Sequence, residues 1–272
     1  MRTPLPLLAF SAALALALAL ATLPTPTTAK KETYGCPIAG LSAVCPAYTR
    51  TRLPRKLEEA GIELRRYAPG VFAYLPVNAS SFGSAAASTG PALSSYVGGA
   101  NEAGLHFHAT APTLLRFEPS KDFTTYGREF VASVFLDVAQ AGDAPAPTSN
   151  AAIRACKTRT THAFIANWTS ASPLPGPPTG ATVVGHLKRL AGHLDRAGET
   201  YCARAAWLLS YSPDSLVGGR KYFEVSLDAG RCREEGGGEG MSVCMEGGDE
   251  EDGEEEKVGF EGGLPGLRLD AE

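Results

Sequence analysis

One succession of hydrophobic patterns runs twice between residues 56 and 230, and this recurrence limits the fold more than any other feature of the chain. In the first pass, Ile62 to Tyr67 and Val71 to Val77 alternate β-branched and aromatic residues, the period of half-buried strands. A helix of small residues is predicted from about Ser80 to Tyr96, where the Gly98-Gly99 pair stops it, and strands follow at Leu105 to Thr110 and Glu129 to Leu136. After a Pro-rich linker from Gly142 to Pro147, the second pass predicts strands at Ala151 to Cys156 and His162 to Asn167. A helix at Ala181 to Arg196 and strands at Arg204 to Tyr211 and Tyr222 to Leu227 complete it. Counting ββαββ twice implies an internal duplication within an α+β domain whose two halves pack their sheets together. In the second helix Val183, Leu187, Leu190 and Leu194 form a core stripe at helical spacing. His186 and His193 flank that stripe, where they suit either a ligand contact or an ordinary surface.

The ends of the chain differ from this body. A single Arg2 precedes an apolar run from Leu7 to Ala21, shorter than the roughly 20 residues of a membrane-spanning helix. With Ala19-Leu20-Ala21 or Thr27-Thr28-Ala29 as cleavage patterns, residues 1–29 read as a secretory signal peptide. Export to the cell exterior or an endomembrane lumen is expected, with no membrane span after cleavage. Residues 30–55 read as an irregular lead-in tied by Cys36 and Cys45, residues 56–230 as the folded domain and residues 231–272 as an acidic tail. The tail from Arg233 carries a net charge of −11 and the rest of the chain +7, so the modest total of −4 hides two unlike parts. Rich in glycine and carboxylates, the tail is expected to stay disordered and to offer a contact for a protein partner.

Cys36, Cys45, Cys156, Cys202, Cys232 and Cys244 are an even set that an oxidising compartment would pair. Short separations favour Cys36 with Cys45 and Cys232 with Cys244, leaving Cys156 for Cys202. No CxxC pair occurs, which favours structural staples over redox chemistry. Asn78-Ala79-Ser80 and Asn167-Trp168-Thr169 are glycosylation sequons open to use in a secretory lumen.

Three segments taken in order carry a family likeness. These are Glu63-Leu64-Arg65-Arg66-Tyr67-Ala68-Pro69, then Leu93-Ser94-Ser95-Tyr96-Val97-Gly98-Gly99-Ala100-Asn101, then Ala109-Thr110-Ala111-Pro112. They resemble the E-x-R-x-Y, L-x-x-Y-I-x-G-x-N and M-T-x-P-V signatures of the SOUL haem-binding family. Trp207-Leu208-Leu209-Ser210-Tyr211 followed by Tyr222-Phe223-Glu224-Val225 fits the family's later strands, and the likeness spans roughly Cys45 to Leu227. It implies an α+β fold in which two ββαββ pseudo-repeats form a SOUL-like distorted β-barrel flanked by two helices. It also implies haem or another tetrapyrrole as ligand, held in a shallow apolar cleft beside a helix, and carries no implication of catalysis. Some family members place a proposed axial histidine just before the strand tyrosine, where this chain has Arg66. Basic residues found on the first helix of some members are missing from Ser80 to Tyr96, and Ala109, Thr113 and Phe223 replace motif residues.

A porphyrin site needs flat apolar walls and cations for two propionates. Phe72, Tyr74, Leu93, Tyr96, Val97 and Phe107 are the candidate walls, and Arg65, Arg66, Arg220 and Lys221 the candidate cations. His106 and His108 stand two apart on a predicted strand, so they are expected to face one side and to share a metal or bracket a ligand. Two histidines fall short of a stable zinc site, so no resident metal is expected. The sequence lacks a GxSxG elbow, an HExxH helix, a phosphate-cradling GxxxxGK[ST] loop and a dinucleotide fingerprint. Nucleic acid is not an expected partner, because the basic residues are not clustered and the chain is exported. Two readings follow: a secreted, non-catalytic tetrapyrrole carrier or scavenger, or an exported interaction module that keeps the fold without the pigment.

Overall fold

The computed structural model describes residues 33–37, 43–108, 110–138, 141–148, 150–170, 177–211, 221–230 and 232. The expected signal peptide, most of the acidic tail, Arg220 and Cys244 lie outside the described residues.

The chain opens with strands β1 (Thr33–Tyr34) and β2 (Tyr48–Thr51) and helix α1 (Arg55–Glu59). The first half continues through β3 (Ile62–Tyr67), β4 (Val71–Asn78), helix α2 (Phe82–Val97), β5 (Thr113–Pro119) and β6 (Tyr126–Leu136). A 3-10 turn at Ala141–Asp143 leads to β7 (Arg154–Lys157), β8 (Thr161–Ser170), helix α3 (Gly180–Ala197), β9 (Tyr201–Tyr211) and β10 (Lys221–Ala229).

All strands join one antiparallel sheet in the order β1-β2-β3-β8-β10-β9-β5-β6-β4-β7. From β3 to β7 this order is a mirror: β3-β8-β10-β9 meets β5-β6-β4-β7 at its centre, so each half lends its first strand to the other. Among the described residues no pairing joins the outer strands β1 and β7, so the sheet is not closed.

Alternation along the strands assigns two faces. Val71, Ala73 and Leu75 of β4, Leu115 and Phe117 of β5, and Phe223, Val225 and Leu227 of β10 point toward the helices and build the main core. Helix α2 joins them through Phe82, Ala85, Thr89, Leu93 and Tyr96, spaced three and four apart. Its start is set by Ser81 Oγ accepting from the Ser84 amide, while Ser84 Oγ accepts from the Ser81 amide, each at 3.0 Å. Helix α3 buries Val183, Leu187, Leu190 and Leu194, as its stripe predicts, and ends at Gly198 with φ +75°.

The segment Leu105 to Thr110 is not a strand; the third strand of the first half lies later, at Thr113–Pro119. Asn101 explains the difference. Its Nδ2 donates to the carbonyls of Tyr96 (3.1 Å) and Leu105 (2.7 Å), and its Oδ1 accepts from the Leu105 amide (2.9 Å). These bonds fold the chain back against the end of α2 and leave Leu105 43 % exposed, so the alternation there marks no buried face. The lead-in is also more regular than expected, because β2 pairs with β3 over four residues.

Cys36 bonds Cys45 as the short separation implies. Cys202, however, bonds Cys232 across a separation of 30 residues, which overturns both other expected pairs. The antiparallel β9–β10 ladder sets Tyr201 opposite Ala229 and so brings the flanking cysteines together. Cys156 is disulfide-bonded as well.

Candidate functional site

The residues expected to wall a single cleft divide between the two faces of the sheet. Leu93 and Tyr96 are buried on the helix side, where the Tyr96 ring stacks on Phe107 at 5.7 Å. The Tyr96 hydroxyl donates to the Pro145 carbonyl at 2.9 Å, and the Phe107 amide donates to Val97 O at 3.0 Å. Val97 and Phe107 are half-buried. Phe72 and Tyr74 alternate with the buried Val71, Ala73 and Leu75, so they lie on the opposite face, where Phe72 meets Phe135 edge to face at 5.4 Å. The structure thus brings together Leu93, Tyr96, Val97 and Phe107, and excludes Phe72 and Tyr74 from that group.

The expected cations separate too. Arg65 is 1 % exposed and is not a rim residue. It donates through Nη1 and Nη2 to Glu224, itself fully buried, at 2.9 and 2.8 Å. Its Nε donates to Glu63 at 2.8 Å, and its guanidinium lies 4.5 Å from the centre of the Tyr48 ring. Arg66 is exposed at the Thr161 end of β8, opposite His162, whereas Lys221 stands opposite Ser170 at the other end. Those positions stand eight residue steps apart along β8, about 27 Å, too far for one porphyrin.

His106 and His108 occupy the loop after α2, not a strand, so they do not share a face. His106 is exposed, and its ring packs against Gly99, where a Cβ would come within 2.9 Å of Nε2. Gly99 also has φ +103°, which leaves this tight turn to glycine. His108, with its side chain 80 % exposed, lies 3.3 Å from Asp137. Among the described residues no group of three or more His, Cys, Asp or Glu side chains could hold a metal ion. The sequon residues Asn78 and Asn167 are both exposed.

Two clusters escaped the sequence reading. On the helix-free face, Tyr211 and Tyr222 donate to the Glu224 carboxylate at 2.9 and 3.0 Å, and Arg65 donates to the Tyr67 hydroxyl at 3.2 Å. Burial and the Glu224 charge push the Tyr211 and Tyr222 hydroxyls well above their ordinary range. Burial raises Tyr67 as well, against the pull of Arg65. Although burial opposes its charge, Arg65 is held even more firmly protonated by Glu224. The E-x-R-x-Y motif and the late Glu224 were its signals in the sequence, separated by 159 residues.

On the helix side, the His186 ring stacks on Trp168 at 4.0 Å with 15° between planes, and Trp168 stacks on Phe223 at 5.5 Å. Burial, aided by Arg189, lowers the His186 pKa to about 4, so the imidazole is neutral at pH 7. Trp168 Nε1 is buried without a hydrogen-bond partner.

This is a mixed α+β protein with one large antiparallel sheet, its helix-packed core on one face and a polar cluster buried on the other. Residues 43–227 match the family described as SOUL heme-binding protein, and the chain belongs to that family. No curated protein matches the sequence. Among solved structures, the C-terminal domain of EcmrR is similar at 10 % identity and TM-score 0.47, covering 63 % of this chain and 98 % of that one. A hydrolase from Listeria innocua is similar at 10 % identity and TM-score 0.37, covering 65 % and 100 %.

Proposed function

We propose that this chain is an exported carrier or scavenger of haem or another tetrapyrrole, and that it binds its ligand without catalysing a reaction. The observation that carries this reading is the family match over residues 43–227, which takes in both halves of the sheet. The fold is read as two ββαββ pseudo-repeats forming a distorted barrel left open at its edges.

The site assigned to the ligand is the end of α2 and the loop from Asn101 to His108. Leu105 is the one large hydrophobic side chain exposed among the described residues. Val97 and Phe107, both half-buried, pack against the core that holds Leu93 and Tyr96, with Phe107 stacked on the Tyr96 ring. Apolar side chains at this loop can lie against the face of a macrocycle. Haem, if bound there, would supply an iron that an imidazole nitrogen could ligate. His106 is the side chain in this loop suited to that role; Asn101 holds the loop in place, and Tyr96 anchors it to the segment around Pro145.

Export draws support from the apolar leader, the disulfides and the exposed sequon residues Asn78 and Asn167, proposed as glycan acceptors. The acidic tail is proposed as a contact for a basic protein partner.

Titration of the refolded mature chain with haemin should give a saturable shift of the Soret band, weakened by His106→Ala. Absence of a saturable change at micromolar protein would falsify the proposal. A second reading, an interaction module without pigment, is favoured by the division of the expected walls between the two faces. It predicts a protein partner whose capture does not depend on added haemin.

A further inference from the structure

Two irregularities of the sheet begin in one row of residues, Phe130, Phe117, Ala206 and Leu227, which pair in that order across β6, β5, β9 and β10. Beyond this row, Pro119 faces Tyr126, two residues on along β5 against four along β6. In the same way Ala229 faces Tyr201, two residues on along β10 against five along β9. Extra residues in one strand bend it and re-aim its side chains. Here they include Glu129 of β6 and Arg204 of β9. Both line a small open cleft of about 80 Å³, together with Arg116, Phe117, Glu118 and Val131.

The lining carries two guanidinium groups and two carboxylates, so its charges cancel. Among the described residues none of these four side chains forms an ion pair or a hydrogen bond with another side chain. Charges of both signs therefore face one cleft without meeting each other. Asp228 stands at the second irregularity, on the same face as Glu224 and Ser226. Burial raises its carboxyl above the usual range, and the charge of Arg116 pulls it back, so Arg116 has an attractive neighbour behind the cleft. An anion alone would meet two carboxylates here, and a cation alone two guanidinium groups. The volume holds several waters or one molecule of a few heavy atoms, which excludes a peptide or a tetrapyrrole.

We infer that this cleft binds a small zwitterion of the class of the shortest free α-amino acids, its carboxylate on Arg116 and Arg204 and its ammonium group on Glu118 and Glu129. Charge-assisted hydrogen bonds from guanidinium to carboxylate, and from ammonium to carboxylate, are the strong kind. One small molecule carrying both groups satisfies both halves of the lining, which a singly charged ion cannot do. Arg116 alternates with Leu115 and Phe117 of the main core, so its side chain lies on the helix-free face. The residues assigned to the tetrapyrrole pack on the helix side, and this second site does not depend on that reading.

Calorimetric titration of the full-length protein with glycine, L-alanine and L-serine tests this, with acetate and methylammonium as probes that carry a single charge. At least one of the amino acids should bind saturably, and about tenfold more tightly than either single-charge probe. Arg116→Gln, and separately Glu118→Gln with Glu129→Gln, should each weaken that binding about tenfold or more while the far-ultraviolet dichroism stays unchanged. Arg204→Gln alters an exposed side chain and gives the same reading if Arg116→Gln does not fold. No saturable heat from any of the three amino acids up to about 10 mM would overturn the inference. Acetate binding as tightly as the amino acids would mark a plain anion site, and binding indifferent to the variants would place the ligand elsewhere. Either result also overturns it.

Discussion

Arg65 and Glu224 come from strands on either side of β8 and meet in a bidentate ion pair with almost no solvent contact. Such a pair stabilises little in net terms, because desolvation of both charges offsets their attraction, yet breaking it strands a buried charge. Glu224→Ala is therefore expected to destabilise the fold by about 3–5 kcal/mol, read from urea unfolding, and Arg65→Met with Glu224→Leu should recover most of that loss. Raised above the ordinary range, Tyr67, Tyr211 and Tyr222 should remain protonated in an alkaline absorbance titration until the protein unfolds. His186 moves the other way. Its folded pKa of about 4 lies below the unfolded value of 6.5, so the unfolded chain binds the extra proton between them. Stability should thus fall as pH drops from about 6.5 towards 4, and a thermal-melt series with His186→Phe should lose that part of the slope.

At the scale of elements, both long helices were legible because buried positions recur three and four apart and capping residues mark their starts. The loop after α2 was not, since His106, Phe107 and His108 imitate a strand's alternation while Asn101 side-chain bonds hold them in a turn. Asn101→Ala should leave those backbone groups short of partners and cost about 1–3 kcal/mol in a denaturant melt. It should also weaken haemin binding if the ligand sits on this loop. The strand Thr113–Pro119 went unread although Leu115 and Phe117 alternate with Leu114 and Arg116. Leu114 is also apolar and half-buried on the second face, so the contrast between faces is weak.

At the scale of the molecule, each half completes the other's sheet: β3 pairs with β8, and β7 with β4. Residues 56–150 or 151–230 expressed alone would each lack the strand that its partner half supplies. Neither fragment is expected to show cooperative unfolding, whereas mixing the two should restore a single transition; a cooperative melt from either half alone would contradict this. Charge is divided unevenly along the chain, with a net −11 after residue 232 against +7 up to it.

The sequence by itself determined the α+β class, both long helices, most strands of the two halves, the core stripe of α3, the Cys36–Cys45 link and the family. Each of these depends on residues near one another in the chain, where periodicity and spacing act directly. Only the tertiary structure decided that the two halves exchange strands, that Cys202 meets Cys232, that Arg65 is neutralised by Glu224, and that the expected haem walls lie on opposite faces. Those outcomes depend on which strands become neighbours in the sheet. Antiparallel pairing brings together residues 30 or 159 positions apart with no local pattern to announce it.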